Sequence, residues 1–192
     1  MLATILPDDV VWDVGANVGL YCQLFSAAVG SGGAVIAFEP SPGNRERLEQ
    51  AVAPLANVMV IPAALGEHTR PAYLTQGSDA LGATSSLNST AGPDSIAVGQ
   101  HSGDDVVSRG TAPLPHVIKI DVEGSELEVL KGMSRVLCAA RLRAICVEVH
   151  FGLLLERGVP DAPSQIERLL KDTGFHVSWA DASHMVGLRL GS

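Results

Sequence analysis

The clearest candidate for chemistry in this 192-residue sequence is the run Asp13-Val14-Gly15-Ala16-Asn17-Val18-Gly19, which joins an apolar segment to a helical pattern. Glycines in such a turn let the backbone approach a ligand closely, and the first turn of a helix offers free N–H donors. Glu39 follows Gly19 by twenty residues, where a carboxylate can accept hydrogen bonds from both hydroxyls of a ribose. The sequence therefore predicts a nucleotide-like ligand at this turn, and the alternative is a structural turn followed by a solvated acid.

A second group of polar residues lies at the ends of two later apolar segments. Lys119, Asp121 and Glu123 close one segment, and Glu148 and His150 close the next. Because ligands of open parallel sheets bind beyond the carboxyl ends of the strands, we expect these side chains to converge there. Charged groups on apolar strands are costly unless they are paired or functional. The alternative is therefore a buried ion-pair network, for instance between Lys119 and Glu148.

The elements that must position these residues follow from alternating patterns along the chain. Short apolar segments bounded by turn residues predict buried strands, and apolar residues at helical spacing between them predict helices. Such alternation is typical of an α/β domain with a doubly wound, mostly parallel sheet. The predicted strands, the last two forming an antiparallel hairpin, are 10–14, 34–38, 58–64, 117–120, 144–149, 175–179 and 185–190.

Two helix starts carry local signals. Ser41 before Pro42 predicts an N-cap and a helix to about residue 56, and Ser125 with Glu128 predicts a capping box. Residues 76–116 are instead rich in Gly, Ser, Thr and Pro, which predicts a loop-rich insertion between the third and fourth core strands. We expect residues 1–192 to form one domain.

Composition excludes several classes of protein. Thirteen Lys and Arg residues are scattered among 21 Asp and Glu, so the formal net charge is −8, and a nucleic-acid partner is not expected. The 25 residues 14–38 carry no charge, but their glycines break the run, so we expect no membrane span. The three cysteines form no CxxC pair and no leader segment is recognisable, which favours buried thiols in the cytoplasm.

Five motifs in order carry a resemblance to a known family: VVWDVGANVGLYCQLF, IAFEPSPGN, NVMVIPAALGEH, VIKIDVEGSELEVLKGM and VEVH. From about residue 8 to about residue 180 the chain resembles the FkbM family of methyltransferases, which depend on S-adenosyl-L-methionine (SAM). The resemblance implies a seven-stranded class I methyltransferase fold of the Rossmann-like type. It also implies transfer of a methyl group to a hydroxyl oxygen of a sugar or a small natural product.

The resemblance assigns roles to individual residues. Negative charge suits a sulfonium cofactor, and an imidazole can take up the hydroxyl proton near neutral pH. Trp12 and Trp179 are expected to pack rather than to offer stacking surfaces. The resemblance implies that Asp13, Gly15, Ala16 and Asn17 hold the methionine end of SAM, that Glu39, flanked by Pro40 and Ser41, holds the ribose, and that Ala64 and Leu65 face the adenine. A Ser-Ser-Leu element of the family implies that Thr84, Ser85 and Ser86 line the acceptor pocket. The chemistry of methyl transfer adds His150 as the general base, Asp121 and Glu123 as groups that orient the cofactor or acceptor, and Glu148 as a further candidate catalytic residue.

Several alternatives stay open at this point. A divalent metal such as Mg²⁺ or Mn²⁺ could bind some of Asp121, Glu123, Glu148 and His150, but no ligand spacing is recognisable and none is expected. A non-catalytic SAM-binding module is a further alternative, since only nine residues precede the first predicted strand. An NAD-type oxidoreductase is disfavoured because the sequence lacks G-x-G-x-x-G at the turn. The oligomeric state is not predicted.

Overall fold

The computed structural model describes residues 1–75 and 86–189, which fold into alternating strands and helices. The strands are β1 Val10–Val14, β2 Ala34–Phe38, β3 Val58–Ile61, β4 Ala63–Leu65, β5 Arg70–Thr75, β6 Ser86–Asn88, β7 Ser95–His101, β8 Val117–Ile120, β9 Ala144–Glu148, β10 His176–Trp179 and β11 His184–Leu188. The helices are α1 Leu20–Val29, α2 Pro42–Val52, α3 Gly103–Ser108, α4 Glu126–Lys131, α5 Ser134–Cys138, α6 Phe151–Glu156 and α7 Ala162–Asp172, after a short 3₁₀ turn Leu2–Thr4.

The main sheet of the described residues has seven strands in the order β10-β11-β9-β8-β1-β2-β3. Strands β3, β2, β1, β8 and β9 run parallel, and the β10–β11 hairpin adds to β9 in antiparallel fashion. Alternate residues of the central strands enter two apolar clusters, one on each face, covered by α1 and α2 on one side and α4, α5 and α7 on the other. The predicted doubly wound, mostly parallel sheet with a C-terminal hairpin is confirmed.

A second sheet was not predicted. The expected strand 58–64 divides at Pro62, so that β3 pairs with β2 while β4 joins a four-stranded sheet ordered β4-β7-β5-β6. Proline has no N–H and cannot continue a ladder on both sides, which accounts for the division. Strands β6 and β7 of this sheet lie in the expected insertion, whereas β4 and β5 precede it. Residues 76–85 and 190–192 lie outside the described part of the chain.

Some local expectations were wrong. Ser41 is the N-cap residue of α2 and Pro42 its first residue, as predicted, but the Ser41 side chain makes no cap hydrogen bond and the helix ends at Val52 rather than near residue 56. Ser125 likewise occupies the N-cap position of α4 without a side-chain cap hydrogen bond, and its Oγ instead accepts a hydrogen bond of 2.9 Å from Nη1 of Arg157. Cys22 and Cys146 are buried as expected, whereas Cys138 is exposed. No helix in the described ranges is both long and apolar enough to cross a membrane.

Candidate active site

The turn between β1 and α1 is held against the neighbouring strand ends by its backbone. The N–H groups of Gly15 and Ala16 both donate to the carbonyl of Phe38, each at 3.1 Å. Gly15 has φ +79°, and a Cβ there would lie 1.9 Å from the carbonyl oxygen of Asp121. Only glycine fits such a left-handed, crowded position. The sequence therefore brings β1, β2 and β8 together at one point of the sheet edge.

Glu39 is fixed by the same turn. Its Oε2 accepts the N–H of Asn17 at 2.9 Å and its Oε1 accepts the N–H of Ser41 at 2.8 Å. Burial raises the pKa of Glu39 to about 7, although the two backbone N–H groups oppose that change. A carboxylate oxygen has two acceptor sites. Among the residues that the structure describes, each oxygen therefore keeps one free acceptor site, which suits the two hydroxyls of a ribose.

A cleft opens beside this turn. It encloses about 710 Å³ of empty space, open solvent at its mouth included. Oδ1 of Asn17 is buried there with no hydrogen-bond partner among the described residues, so it can accept from a ligand ammonium or hydroxyl. The described lining residues are Val14, Gly15, Asn17, Glu39, Pro40, Asn44, Ala64, Leu65, Leu74, Leu87, Asp121, Val122, Glu123 and Ser125.

This lining fits SAM. The polar end of the cleft offers the carboxylate of Glu39 and the free acceptor of Asn17. Its leucines, together with Ala64, offer an apolar wall for the adenine ring. The predicted Pro40, Asp121 and Glu123 lie along the same cleft. Ser41 is buried and contributes its backbone N–H to Glu39.

Asp13 lies beneath the cleft and is fully buried. Its Oδ1 is 3.2 Å from Nζ of Lys119, and its Oδ2 accepts from the thiol of Cys22 at 3.2 Å. Lys119 also lies 3.3 Å from Oδ2 of Asp121 and donates to the carbonyl of Gly15 at 3.3 Å. Burial acts to lower the pKa of Lys119, but the two carboxylates outweigh it, and the pKa lies above its usual value. Lys119 is therefore paired with Asp13 and Asp121, and not with Glu148 as in the ion-pair network considered from the sequence.

His150 lies at the end of β9, where its two ring nitrogens face two carboxylates. Nδ1 is 2.8 Å from Oε1 of Glu126, and Nε2 is 3.6 Å from Oδ1 of Asp121. The carboxylate of Glu126 can only accept, so it favours a proton on Nδ1, and in the neutral form of the ring with that proton Nε2 keeps a lone pair. The hydrogen bond to Glu126 raises the pKa of His150, burial opposes it, and the charges of Glu126, Asp121 and Glu148 add to the rise. This arrangement can orient a general base.

Sequence reasoning missed Glu126. It is fully buried, accepts the N–H of Gly124 at 2.9 Å, and leaves its Oε2 without a hydrogen-bond partner among the described residues. An unsatisfied buried carboxylate oxygen is costly, so fold stability alone does not account for this side chain. Helical periodicity could have identified Glu126 as a buried acid, because it shares the buried face of α4 with Val129 and Leu130, three and four residues later.

The remaining predicted residues lie around this centre. Glu148 pairs with Nε2 of His184 at 3.5 Å. Single ligand atoms of Asp121, Glu148 and His150 all lie within 4.8 Å of one another, a grouping that could hold a metal ion. Thr84 and Ser85 lie outside the described residues; Ser86 opens β6 opposite Thr75, and its side chain is not described.

Comparison with known proteins identifies a curated relative. Hexuronic acid methyltransferase AglP of Haloferax volcanii is 37% identical to this chain over 147 residues, which cover 76% of this chain and 58% of that protein. This chain therefore spans less than two thirds of the relative that it matches.

Solved structures share the fold. A structure of methyltransferase FkbM from Methylobacillus flagellatus KT gives a TM-score of 0.67 at 16% identity, covering 95% of this chain and 44% of that one. Fibrillarin of Aeropyrum pernix, crystallised with natively bound S-adenosyl-L-methionine, gives 0.59 at 12% identity, covering 97% and 68%. Both carry the class I methyltransferase fold. Residues 13–177 match the model of the methyltransferase FkbM domain, and this chain therefore belongs to the FkbM methyltransferase family.

Proposed function

We propose that this chain is a SAM-dependent methyltransferase that methylates a hydroxyl oxygen of a sugar. One observation carries the proposal: Asp121 both lines the cofactor cleft and lies 3.6 Å from Nε2 of His150. A cofactor site and an oriented base thus share one residue. The sugar is inferred from the relative at 37% identity, whose name specifies a hexuronic acid.

SAM would bind along the cleft through residues of this chain. Glu39 would accept the ribose hydroxyls, Asn17 would accept from the methionine ammonium, and Leu65 would contact the adenine. The bound cofactor supplies a methyl group already activated by a sulfonium. What the protein must add is alignment of the acceptor oxygen, which can contribute several kcal/mol, and a place for the acceptor proton.

His150 provides that place. Its Nε2 takes the hydroxyl proton as the acceptor oxygen becomes nucleophilic, and Glu126 stabilises the imidazolium through Nδ1–H. A general base of this kind contributes about 10²- to 10⁴-fold in rate. A hexuronic acid also offers a carboxylate oxygen, which carries no proton at neutral pH and needs no base. The requirement for His150 therefore distinguishes a hydroxyl from a carboxylate acceptor.

The test is a transfer assay with SAM labelled in its methyl group. Glucuronic acid and glucose glycosides serve as acceptors, with release of S-adenosylhomocysteine as a second readout. We expect SAM to bind in calorimetry, NAD⁺ not to bind, and label to appear on the sugar. Binding of SAM without transfer to any acceptor would favour a non-catalytic module, and binding of NAD⁺ alone would favour an oxidoreductase.

Binding of a divalent cation is a second candidate role for the side chains of Asp121, Glu148 and His150. A divalent cation there would lower the pKa of the acceptor hydroxyl in place of a base. Turnover that is lost in EDTA and restored by Mg²⁺ or Mn²⁺ would support the cation. Turnover unchanged by EDTA supports His150 as the base.

A further inference from the structure

One buried cation beneath the cofactor cleft has no part in the proposed reaction. The side chain of Lys119 is only 8% exposed, and a buried charge is costly unless it is paired and hydrogen-bonded. Lysine is among the residues that are almost never fully buried without a partner. The groups that surround Nζ therefore indicate what this side chain does.

Three acceptors surround the ammonium of Lys119. Nζ lies 3.2 Å from Oδ1 of Asp13, 3.3 Å from Oδ2 of Asp121 and 3.3 Å from the carbonyl oxygen of Gly15. An ammonium has three N–H donors, so there is one acceptor for each donor. The ring of Tyr21 covers the cation, with its centroid 4.8 Å from Nζ, and adds a cation–π contact. The donors of Lys119 are thus used within the protein.

These acceptors come from the two segments that form the cofactor site. Asp13 belongs to β1 and pairs in register with Lys119 of β8, so the two side chains lie on the same face of the sheet. Gly15 begins the turn after β1, and Asp121 follows β8. Both residues line the cofactor cleft. The ammonium therefore ties the cofactor turn to the carboxylate of Asp121.

The two oxygens of Asp121 face different neighbours. Oδ2 lies 3.3 Å from Nζ of Lys119, and Oδ1 lies 3.6 Å from Nε2 of His150. The Asp121 side chain is 27% exposed, so it has room for other staggered rotamers. An ammonium that holds Oδ2 therefore determines where Oδ1 lies relative to the imidazole.

We propose that Lys119 is a positioning residue of the active site, which holds Asp121 in the orientation that joins the cofactor cleft to the imidazole of His150. This inference rests on the proposed function and adds a residue to it. Lys119 acts through Asp121, and a misplacement of about 1 Å in such an arrangement can cost about a hundredfold in rate. The competing explanation is that Lys119 only neutralises Asp13 inside the fold.

NMR of the histidine side chains tests the link without turnover. The chain contains six histidines, and the signal that disappears in His150→Gln is that of His150. At one fixed pH, Lys119→Met should shift this signal, whereas the same substitution added to Asp121→Ala should leave it where Asp121→Ala alone places it. The His116 signal, assigned in the same way, is an internal control because His116 precedes β8, at the end of the strand away from Asp121. An unchanged His150 signal in Lys119→Met, or an equal shift in both backgrounds, would overturn the proposal.

A second comparison separates positioning from neutralisation. Lys119→Met leaves the Asp13 carboxylate buried without its cation, which is destabilising. Asp13→Asn with Lys119→Met removes both charges and still deprives Asp121 of its partner. Relative to Asp13→Asn alone, the His150 signal should shift in this double variant. An unchanged signal in this comparison would show that Lys119 only neutralises Asp13, and would overturn the proposal.

Kinetics give the other test. Lys119→Met should lower kcat about 10- to 100-fold with KM for the acceptor nearly unchanged, and should lower kcat no further when it is added to Asp121→Ala. The matched control is Lys171→Met, which removes a lysine that pairs with Glu167 at a side chain that is 55% exposed, and it should leave kcat unchanged. Equal falls in kcat with and without the Asp121 side chain would assign Lys119 to the fold alone and overturn its role.

Failure of the proposed function is distinguishable from failure of this inference. A wild type that binds SAM but transfers no methyl group to any acceptor would refute the proposed function, whereas the NMR comparison would still show whether Lys119 holds Asp121 against His150. Methyl transfer at the full wild-type rate in Lys119→Met would leave the proposed function standing and overturn the role of Lys119.

Discussion

Glu39→Gln should remove a specific pH dependence of stability. The substitution keeps the shape of the side chain but cannot ionise. In the wild type, burial raises the pKa of Glu39 from its ordinary 4.5 to about 7 in the folded state. Between these values the folded state binds more protons than the unfolded state. The free energy of unfolding of the wild type should therefore fall as pH rises from about 4.5 to about 7, and Glu39→Gln should lack that part of the fall.

The magnitude follows from the two pKa values. A difference between 4.5 and about 7 corresponds to about 3 kcal/mol. Urea unfolding between pH 4 and pH 8 gives the free energy of unfolding of the wild type and of Glu39→Gln. The change with pH in the difference between these two free energies measures the contribution of Glu39, because the contributions of other titrating groups cancel. At pH 8 the variant should also bind SAM about a hundredfold more weakly, because two hydrogen bonds to a charged group are altered.

Glu49→Gln is the matched control, since it removes the same charge from a side chain of α2 that is 57% exposed. Its stability curve should parallel that of the wild type. If the difference in free energy of unfolding between the wild type and Glu39→Gln did not change with pH, the argument from burial would be refuted. A difference that rises with pH would show that the hydrogen bonds from Asn17 and Ser41 outweigh burial.

Three further substitutions test the site. His150→Ala should lower kcat about 10²- to 10⁴-fold while the Kd for SAM, measured by calorimetry, stays unchanged; normal turnover would make His150 structural. Glu126→Gln should lower kcat and shift the acidic limb of the pH profile of kcat to lower pH, because Glu126 raises the pKa of His150. The control Glu128→Gln, at a side chain that is 39% exposed, should change neither kcat nor that profile. Gly15→Ala should abolish SAM binding and destabilise the fold by about 2 kcal/mol or more in urea unfolding, because its Cβ would meet Asp121 at 1.9 Å. Gly43→Ala, with open space around it, should be neutral or slightly stabilising, and equal effects of the two alanines would contradict this reasoning.

The main sheet was predictable where apolar segments have sharp boundaries. The predicted limits of β1, β2 and β8 agree residue for residue with the structure, because turn glycines or charged residues close those buried strands. The break at Pro62 was not predicted, since an apolar run gives no sign that its two halves join different sheets. Helices α5 and α6 were missed because each is short and the residue before it, Met133 or His150, is not of a type that signals a helix start.

The candidate site was also predictable only in part. Glu39 and the glycine turn follow from local spacing, which strand and helix geometry fixes. The contact between His150 and Glu126 joins residues 24 apart, and no local pattern specifies which carboxylate meets the imidazole. The stacking of Phe151 on Trp179 likewise depends on how the C-terminal hairpin returns to β9, which is a property of the sheet order.

The most direct measurement of the central claim is the position of the labelled methyl group on a glucuronic acid glycoside after incubation with this chain and SAM. We expect a methyl ether on a ring hydroxyl, stable to mild alkali, formed by the wild type and reduced at least a hundredfold in His150→Ala. A methyl ester cleaved by mild alkali and formed equally by both proteins would contradict the role of His150 as general base. No labelled sugar from any acceptor, with SAM bound, would contradict the proposed activity itself.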